Sequence, residues 1–137
     1  MKIFDCFMFF DEDQVLDLRL NVLNEYVDYF VIVESIYNHK GEKRNLLFNK
    51  NKYKDFSNKI IYLIYDKIPN SVKEVEKKDS KLTQDYKYIM NALYRENSQR
   101  NFILEGLKDA DQNDIILISD VDEIPKLNIN TLKSIRN

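Results

Sequence analysis

The sequence predicts an α/β fold in which a mostly parallel sheet is flanked by helices and residues 1–137 form one domain. Four short apolar runs alternate with segments of helical periodicity, and an acidic residue follows closely after each run. A length of 137 residues suits a single core, and 2 Gly and 2 Pro leave no visible linker. Helices that connect successive strands make those strands parallel, so we expect one layered unit.

The first strand is predicted at residues 3–10, where most side chains are apolar and several are aromatic. Asp11 or Asp13 can cap the helix that follows, in which apolar residues recur at helical spacing up to Val27. Arg19 interrupts the apolar stripe of this helix. A charge on that stripe needs a partner, and a buried pair with an acid at a strand end would explain it.

The second and third strands are predicted at residues 29–33 and 60–64, each a continuous apolar run. Glu34 directly follows the second strand, and Asp66 follows the third. Carboxyl ends of parallel strands meet at one edge of the sheet, where ligands of open α/β sheets bind. We therefore expect these acids on a ligand-binding rim, although Asp66 taken alone is more typical of a solvated turn.

The region after Pro69 is predicted to form one or two amphipathic helices whose apolar stripe faces the sheet. Arg100 lies in line with that stripe, so it requires a partner: a ligand phosphate, a strand-end acid, or Glu96 one turn earlier. The stripe consists of Leu82, Tyr86, Ile89, Met90, Leu93, Ile103, Leu104 and Leu107.

The fourth strand is predicted at residues 115–118 and is followed by Asp120-Val121-Asp122. If the extended backbone persists, the two carboxylates project to the same side because side chains alternate along a strand. Adjacent carboxylates repel unless a cation joins them, and Mg²⁺ or Mn²⁺ prefers oxygen ligands and diphosphates. The pattern favours a metal and diphosphate site; a surface turn is the alternative, whereas a calcium loop or a phosphatase motif fits poorly.

Composition excludes several other classes of function. A formal net charge of −2 gives no basic surface for nucleic acid. Cys6 is the single cysteine and His39 the single histidine, so neither a disulfide nor a zinc site of the usual spacing can form, and His39 is expected to be solvated. No apolar run reaches the length of a signal peptide or membrane span. A cytoplasmic location is expected.

Six segments follow one another in the order seen in a known protein family. They are residues 1–10, 18–21, 27–35, 99–101 with 106–110, and 114–125, the last of which contains the two aspartates. Together they resemble glycosyltransferase family 17, the family of β-1,4-mannosyl-glycoprotein β-1,4-N-acetylglucosaminyltransferases. The resemblance spans nearly the whole chain, with a generic middle from about Tyr37 to Tyr88.

The resemblance implies a GT-A-like, Rossmann-like fold and a metal-dependent hexosyltransferase that uses Mn²⁺ or Mg²⁺. The implied reaction transfers GlcNAc from UDP-GlcNAc to a glycan acceptor with inversion. Carried over residue by residue, it makes Asp122 the direct metal ligand, while Asp120 shares the metal or approaches the ribose. Arg100 and Glu34 are matched positions on the donor side.

Domains of this family continue well past the last residue of the chain, so the sheet is expected to be truncated after the strand that carries the two aspartates. The catalytic base is then expected outside the chain, with Glu34 and Asp66 as the candidates within it. The alternative from another functional class is a non-catalytic nucleotide-sugar or metal-binding module.

Overall fold

The computed structural model describes residues 1–135, apart from the side chain of Lys133. The elements are β1 (Ile3–Phe9), α1 (Asp13–Leu23), β2 (Tyr29–Ser35), β3 (Ile60–Tyr65), α2 (Lys81–Asn101), β4 (Ile115–Ile118) and α3 (Ile129–Ile135), with 3₁₀ helices at Lys54–Phe56 and Phe102–Leu107. The four predicted strands are confirmed within two residues at each end. Helix α1 ends at Leu23, earlier than its periodicity indicated, and α3 was not predicted.

The sheet is entirely parallel and has the strand order β3-β2-β1-β4. The chain moves outward from β1 through β2 to β3 and then returns to the opposite side of β1 with β4. This change of direction leaves a crevice beyond the carboxyl ends of β1 and β4, which is the usual ligand position in sheets of this topology. Asp120 lies at that point, two residues after the end of β4.

Each face of the sheet buries a separate apolar cluster. Side chains alternate along β1, so Phe7 and Phe9 face α1 whereas Phe4 and Cys6 face the α2 side. The 3₁₀ segment Phe102–Leu107 lies directly on the second face, where a Cβ atom added to Gly106 would come within 2.5 Å of Val31 Cγ1. Glycine is therefore required there for the close approach of backbone to sheet.

Helix α2 does not turn its apolar stripe toward the sheet, and this part of the sequence prediction was wrong. Leu82, Ile89 and Leu93 are 81%, 68% and 43% exposed. The inward face is polar: Asn91 exchanges two hydrogen bonds with the backbone of Lys73, and Gln99 donates to the carbonyl of Val33. Hydrogen bonds to Lys73 and to strand β2 thus satisfy polar groups of α2 that would otherwise be buried unpaired.

None of the helices within residues 1–135 has the length and apolar character needed to cross a membrane.

Candidate functional site

A cleft of ≈ 430 Å³ lies beyond the carboxyl ends of the strands. Residues at or after the ends of all four strands contribute to its lining, as the sequence predicted for a rim of this sheet. The strand-end residues in the lining are Phe9, Phe10, Ser35, Tyr65, Asp120, Val121 and Asp122, and the α2 residues are Arg95, Glu96 and Gln99. Of the four predicted rim acids, Asp120 and Asp122 line the cleft, whereas Glu34 and Asp66 do not.

The two aspartates lie on a turn rather than on an extension of β4. The strand ends at Ile118, and the amide of Glu123 donates to the carbonyl oxygen of Asp120 at 2.9 Å. Val121 is buried while Asp120 and Asp122 are exposed. Both residues line the cleft, and the turn, not strand alternation, places them there.

A buried arginine holds this turn from below. Arg19 of α1 is fully buried and donates from Nη1 to the carbonyl oxygens of Asp120, Val121 and Glu123 at 2.6, 3.1 and 3.2 Å. Its Nη2 donates to Ser119 Oγ at 2.7 Å. The sequence predicted a buried partner for Arg19, but the carboxylate that it binds belongs to Asp5, in the middle of β1 and not at a strand end.

Asp5 is the partner of Arg19 that the sequence analysis did not identify. It is an acid within an apolar strand, fully buried, and directed to the α1 face of the sheet. The sequence did contain a signal for this pair. An acid in a buried strand and an arginine on the apolar face of the next helix each require a partner, and each could have been assigned to the other.

Arg100 joins α2 to the turn from the solvent side. Its Nη2 atom donates to Asp120 Oδ1 at 3.0 Å and to Glu96 Oε1 at 3.1 Å. The arginine side chain is 39% exposed and that of Asp120 is 54% exposed. Both protein partners considered for Arg100 are thus present, and the contacts are those of a partly solvated network beside the cleft.

Glu34 lies below the cleft, where both oxygens of its carboxylate have hydrogen-bond partners. Its carboxylate accepts hydrogen bonds from the amides of Leu47 and Phe48 and from the hydroxyl of Tyr62, and it pairs with Arg44 at 3.1 Å. Burial and the hydrogen bond to Glu34 raise the pKa of Tyr62. These contacts anchor residues 44–48 to the sheet and leave Glu34 away from the lining.

Two aromatic rings, those of Phe10 and His39, contribute to the wall of the cleft, and Arg44 packs on one of them from outside the lining. Arg44 donates to the carbonyl oxygens of Ser35 and Phe10 and lies over the Phe10 ring, 4.3 Å from its centroid. The rings of Phe10 and His39 are 5.8 Å apart, and both line the cleft. His39 is exposed as predicted, and its position gives the cleft an aromatic wall.

Asp66 is exposed after β3 and lies outside the lining, but its neighbour Lys67 is part of it. Arg95 also lines the cleft and donates to the carbonyl oxygen of His39. Two cations therefore belong to the same lining as the two aspartates, together with the acids Glu12 and Glu96. The sequence analysis assigned no role to either, because nothing in their local pattern distinguishes them from other surface cations.

The carboxylates of the cleft suit a cation that binds together with the phosphate groups of a ligand. Within residues 1–135 no three Asp, Glu, His or Cys side chains gather closely enough to hold a metal ion on their own. Mg²⁺ commonly binds through one or two carboxylates, substrate phosphates and water. Asp120 and Asp122, exposed on one turn, can supply the protein part of such a shell.

Comparison with known proteins agrees with this geometry. The model of the family described as Glycosyltransferase family 17 matches residues 1–137. The chain is similar to β-1,4-mannosyl-glycoprotein 4-β-N-acetylglucosaminyltransferase from Homo sapiens, with 28% identity over 118 residues, and to the same enzyme from Rattus norvegicus (28%) and Mus musculus (27%). The match covers 83% of the chain but 20% of each relative, so the chain spans about one-fifth of their length. No solved structure matches.

Proposed function

The chain belongs to glycosyltransferase family 17, and from that premise we propose that its cleft binds the UDP-GlcNAc donor of an inverting transfer to a glycan acceptor. Membership of the family implies a transferase with a sugar donor and an acceptor. The observation that carries the proposal is the turn that presents Asp120 and Asp122 to the cleft at the topological switch point of the sheet. The strand order β3-β2-β1-β4 is that of the first four strands of the doubly wound order 3-2-1-4-5-6, which supports the proposal of a GT-A-like, Rossmann-like fold.

The lining combines two cations with four carboxylates. Arg95 and Lys67 offer positive charge for phosphate oxygens, and the Phe10 and His39 rings, tilted by 30°, offer aromatic surface for a planar base. The acids of the lining are Glu12, Glu96, Asp120 and Asp122. Asp120 and Asp122 would repel the diphosphate on their own. Binding is therefore proposed to require Mn²⁺ or Mg²⁺, held by these two carboxylates. When bound, such a cation stabilises charge on a leaving diphosphate.

Neither Glu34 nor Asp66 has support as the catalytic base. Inversion by direct displacement requires a carboxylate within reach of the acceptor hydroxyl. The carboxylate oxygens of Glu34 are occupied by other hydrogen bonds, and Asp66 lies outside the lining. The proposal therefore assigns donor binding to this chain and leaves proton abstraction to a carboxylate other than these two.

Calorimetric titration of UDP with and without Mn²⁺ tests the proposal. We expect wild-type protein to bind UDP more tightly with Mn²⁺, and Asp120→Asn and Asp122→Asn each to reduce that metal-dependent gain without unfolding the protein, because both side chains are exposed. Asp109→Asn is the matched control, since Asp109 is an exposed acid outside the lining. Metal-independent UDP affinity that is the same in all four proteins would contradict the assignment.

A UDP-release assay with UDP-GlcNAc, Mn²⁺ and mannose-terminated acceptors separates a transferase from a binding module. Acceptor-dependent release that is lost in Asp122→Asn supports transfer by the chain. Metal-dependent UDP binding without acceptor-dependent release supports the non-catalytic alternative for these residues.

A further inference from the structure

The ion pair between Asp5 and Arg19 has a fixed, two-point geometry. Arg19 Nε lies 2.8 Å from Asp5 Oδ2, and Nη2 lies 2.7 Å from Oδ1, with both side chains fully buried. A paired fork of this kind allows the guanidinium one orientation in its plane. Arg19 also lies over the Phe7 ring, 4.5 Å from its centroid, which restricts rotation further.

The orientation that Asp5 imposes directs the rest of the guanidinium at the turn. Nη1 donates to three carbonyl oxygens of the turn, those of Asp120, Val121 and Glu123. Nη2 reaches Ser119 Oγ, which itself donates to the carbonyl of Glu123 at 3.0 Å. Because these carbonyls turn inward to one donor group and Val121 is buried beside them, the side chains of Asp120 and Asp122 are left on the outer surface of the turn.

A role in stability alone does not account for a pair of this kind. Isolating two charges from water is expensive, and a well-packed apolar pair of similar volume often gives equal or greater stability. Such a replacement could not satisfy the carbonyl oxygens of the turn, however. What the arginine supplies that a hydrocarbon side chain cannot is a set of hydrogen-bond donors at fixed positions under the aspartates.

We propose that Arg19, oriented by Asp5, is a positioning residue for the Asp120-Val121-Asp122 turn and holds both carboxylates in the arrangement that a divalent cation and a diphosphate require. This inference rests on the proposed function for its ligand, but its structural part concerns only residues of this chain. Residues that orient metal ligands in this way commonly change metal affinity by about 10- to 100-fold when substituted.

The test compares Arg19→Lys with wild type in two measurements. Lysine keeps the positive charge near Asp5 but lacks the planar fork, so it cannot bind Asp5 and the turn carbonyls together. We expect the Mn²⁺-dependent affinity for UDP to fall by about 10- to 100-fold while the affinity without metal stays unchanged. We also expect faster hydrogen exchange at the amides of Asp120 and Glu123, whose hydrogen bonds close the turn, with unchanged exchange in β2.

Lys87→Met is the control for a general loss of stability. It removes the partly buried pair between Lys87 and Asp79, at 2.7 Å, whose residues lie outside the cleft lining. The control is expected to lower the free energy of unfolding while leaving both the metal-dependent UDP affinity and the exchange of the two turn amides as in wild type.

The two measurements separate failure of this inference from failure of the proposed function. If the wild-type protein shows no metal-dependent UDP binding, the proposed function fails. The positioning role is then tested only by the hydrogen exchange rates of the Asp120 and Glu123 amides. A folded Arg19→Lys protein with wild-type exchange at Asp120 and Glu123 overturns the inference. If Arg19→Lys does not fold, Asp5→Asn serves instead, because it keeps the arginine and replaces one acceptor of its fork; unchanged exchange in that variant likewise overturns it.

Discussion

Arg100 binds Asp120 from the solvent side of the turn, with its Nη2 atom 3.0 Å from the carboxylate Oδ1. Arg19 binds the same residue from the core side, with Nη1 2.6 Å from its carbonyl oxygen. Asp120 is thus held between two guanidinium groups that differ in burial. One binds the side chain that is proposed to meet the ligand, and the other binds the backbone.

Removing Arg100 should cost little stability. Its two ion pairs are 39–54% exposed, and pairs of that kind contribute roughly 0–1 kcal/mol. We therefore expect Arg100→Met to change the free energy of unfolding by less than about 1 kcal/mol in urea denaturation. Arg19→Met should cost about 3–5 kcal/mol because it leaves Asp5 charged and unpaired in the core. An equal loss of unfolding free energy in the two variants would contradict the expectation that the ion pairs of Arg100 are solvent-exposed.

Replacing Glu34 should destabilise the segment that covers the sheet next to the cleft. In Glu34→Gln an amide group faces donors only, the amides of Leu47 and Phe48 and the hydroxyl of Tyr62, and Arg44 loses its charged partner. We expect a loss of about 3–5 kcal/mol, as for a broken buried ion pair.

The measurement for Glu34→Gln is urea denaturation with hydrogen exchange of residues 44–48. Asp66→Asn is the comparison, since its side chain is exposed and a change within about 0.5 kcal/mol is expected. Wild-type stability and wild-type exchange in Glu34→Gln would argue that this carboxylate is free to act on a ligand instead.

Cys6 should make the protein less stable in alkali. Burial raises the pKa of its thiol from 9.0 to about 12. As pH rises above about 9, the unfolded chain loses the thiol proton and the folded chain keeps it, so the unfolded state binds fewer protons and the free energy of unfolding falls. Below about pH 9 this contribution is fully present. The pKa values of Tyr53 and Tyr62 are also raised, so these two residues further lower the free energy of unfolding above about pH 10.

The check on Cys6 is the slope of unfolding free energy against pH in wild type and Cys6→Ala. The alanine variant is expected to be less stable overall because it leaves a cavity beside Val31, yet to show a shallower decline between about pH 9 and pH 10. Parallel slopes would contradict the assignment. Thiol-reactive reagents should label the wild-type protein only as fast as it opens, since the residue is buried.

The residue pattern by itself determined the four strands, their parallel arrangement and the rim on which Asp120 and Asp122 lie. Continuous apolar runs such as residues 29–33 are local and unambiguous, and parallel strands joined by crossovers present their carboxyl ends at one edge. The motif after β4 and its family resemblance followed from the same local pattern. These features depend on residues that are neighbours in the sequence, so they can be predicted from the sequence alone.

Only the tertiary structure decided which charged residues meet. Asp5 and Arg19 are 14 residues apart, and Arg19 and Val121 are 102 apart, so no sequence periodicity joins them. Likewise, the apolar stripe of α2 indicated the wrong inward face, because hydrogen bonds from Asn91 and Gln99 to distant backbone atoms outweighed the exposure of leucine and isoleucine side chains. The physical reason is that a buried polar group must find a partner wherever the fold brings one, whereas apolar surface can remain partly in water.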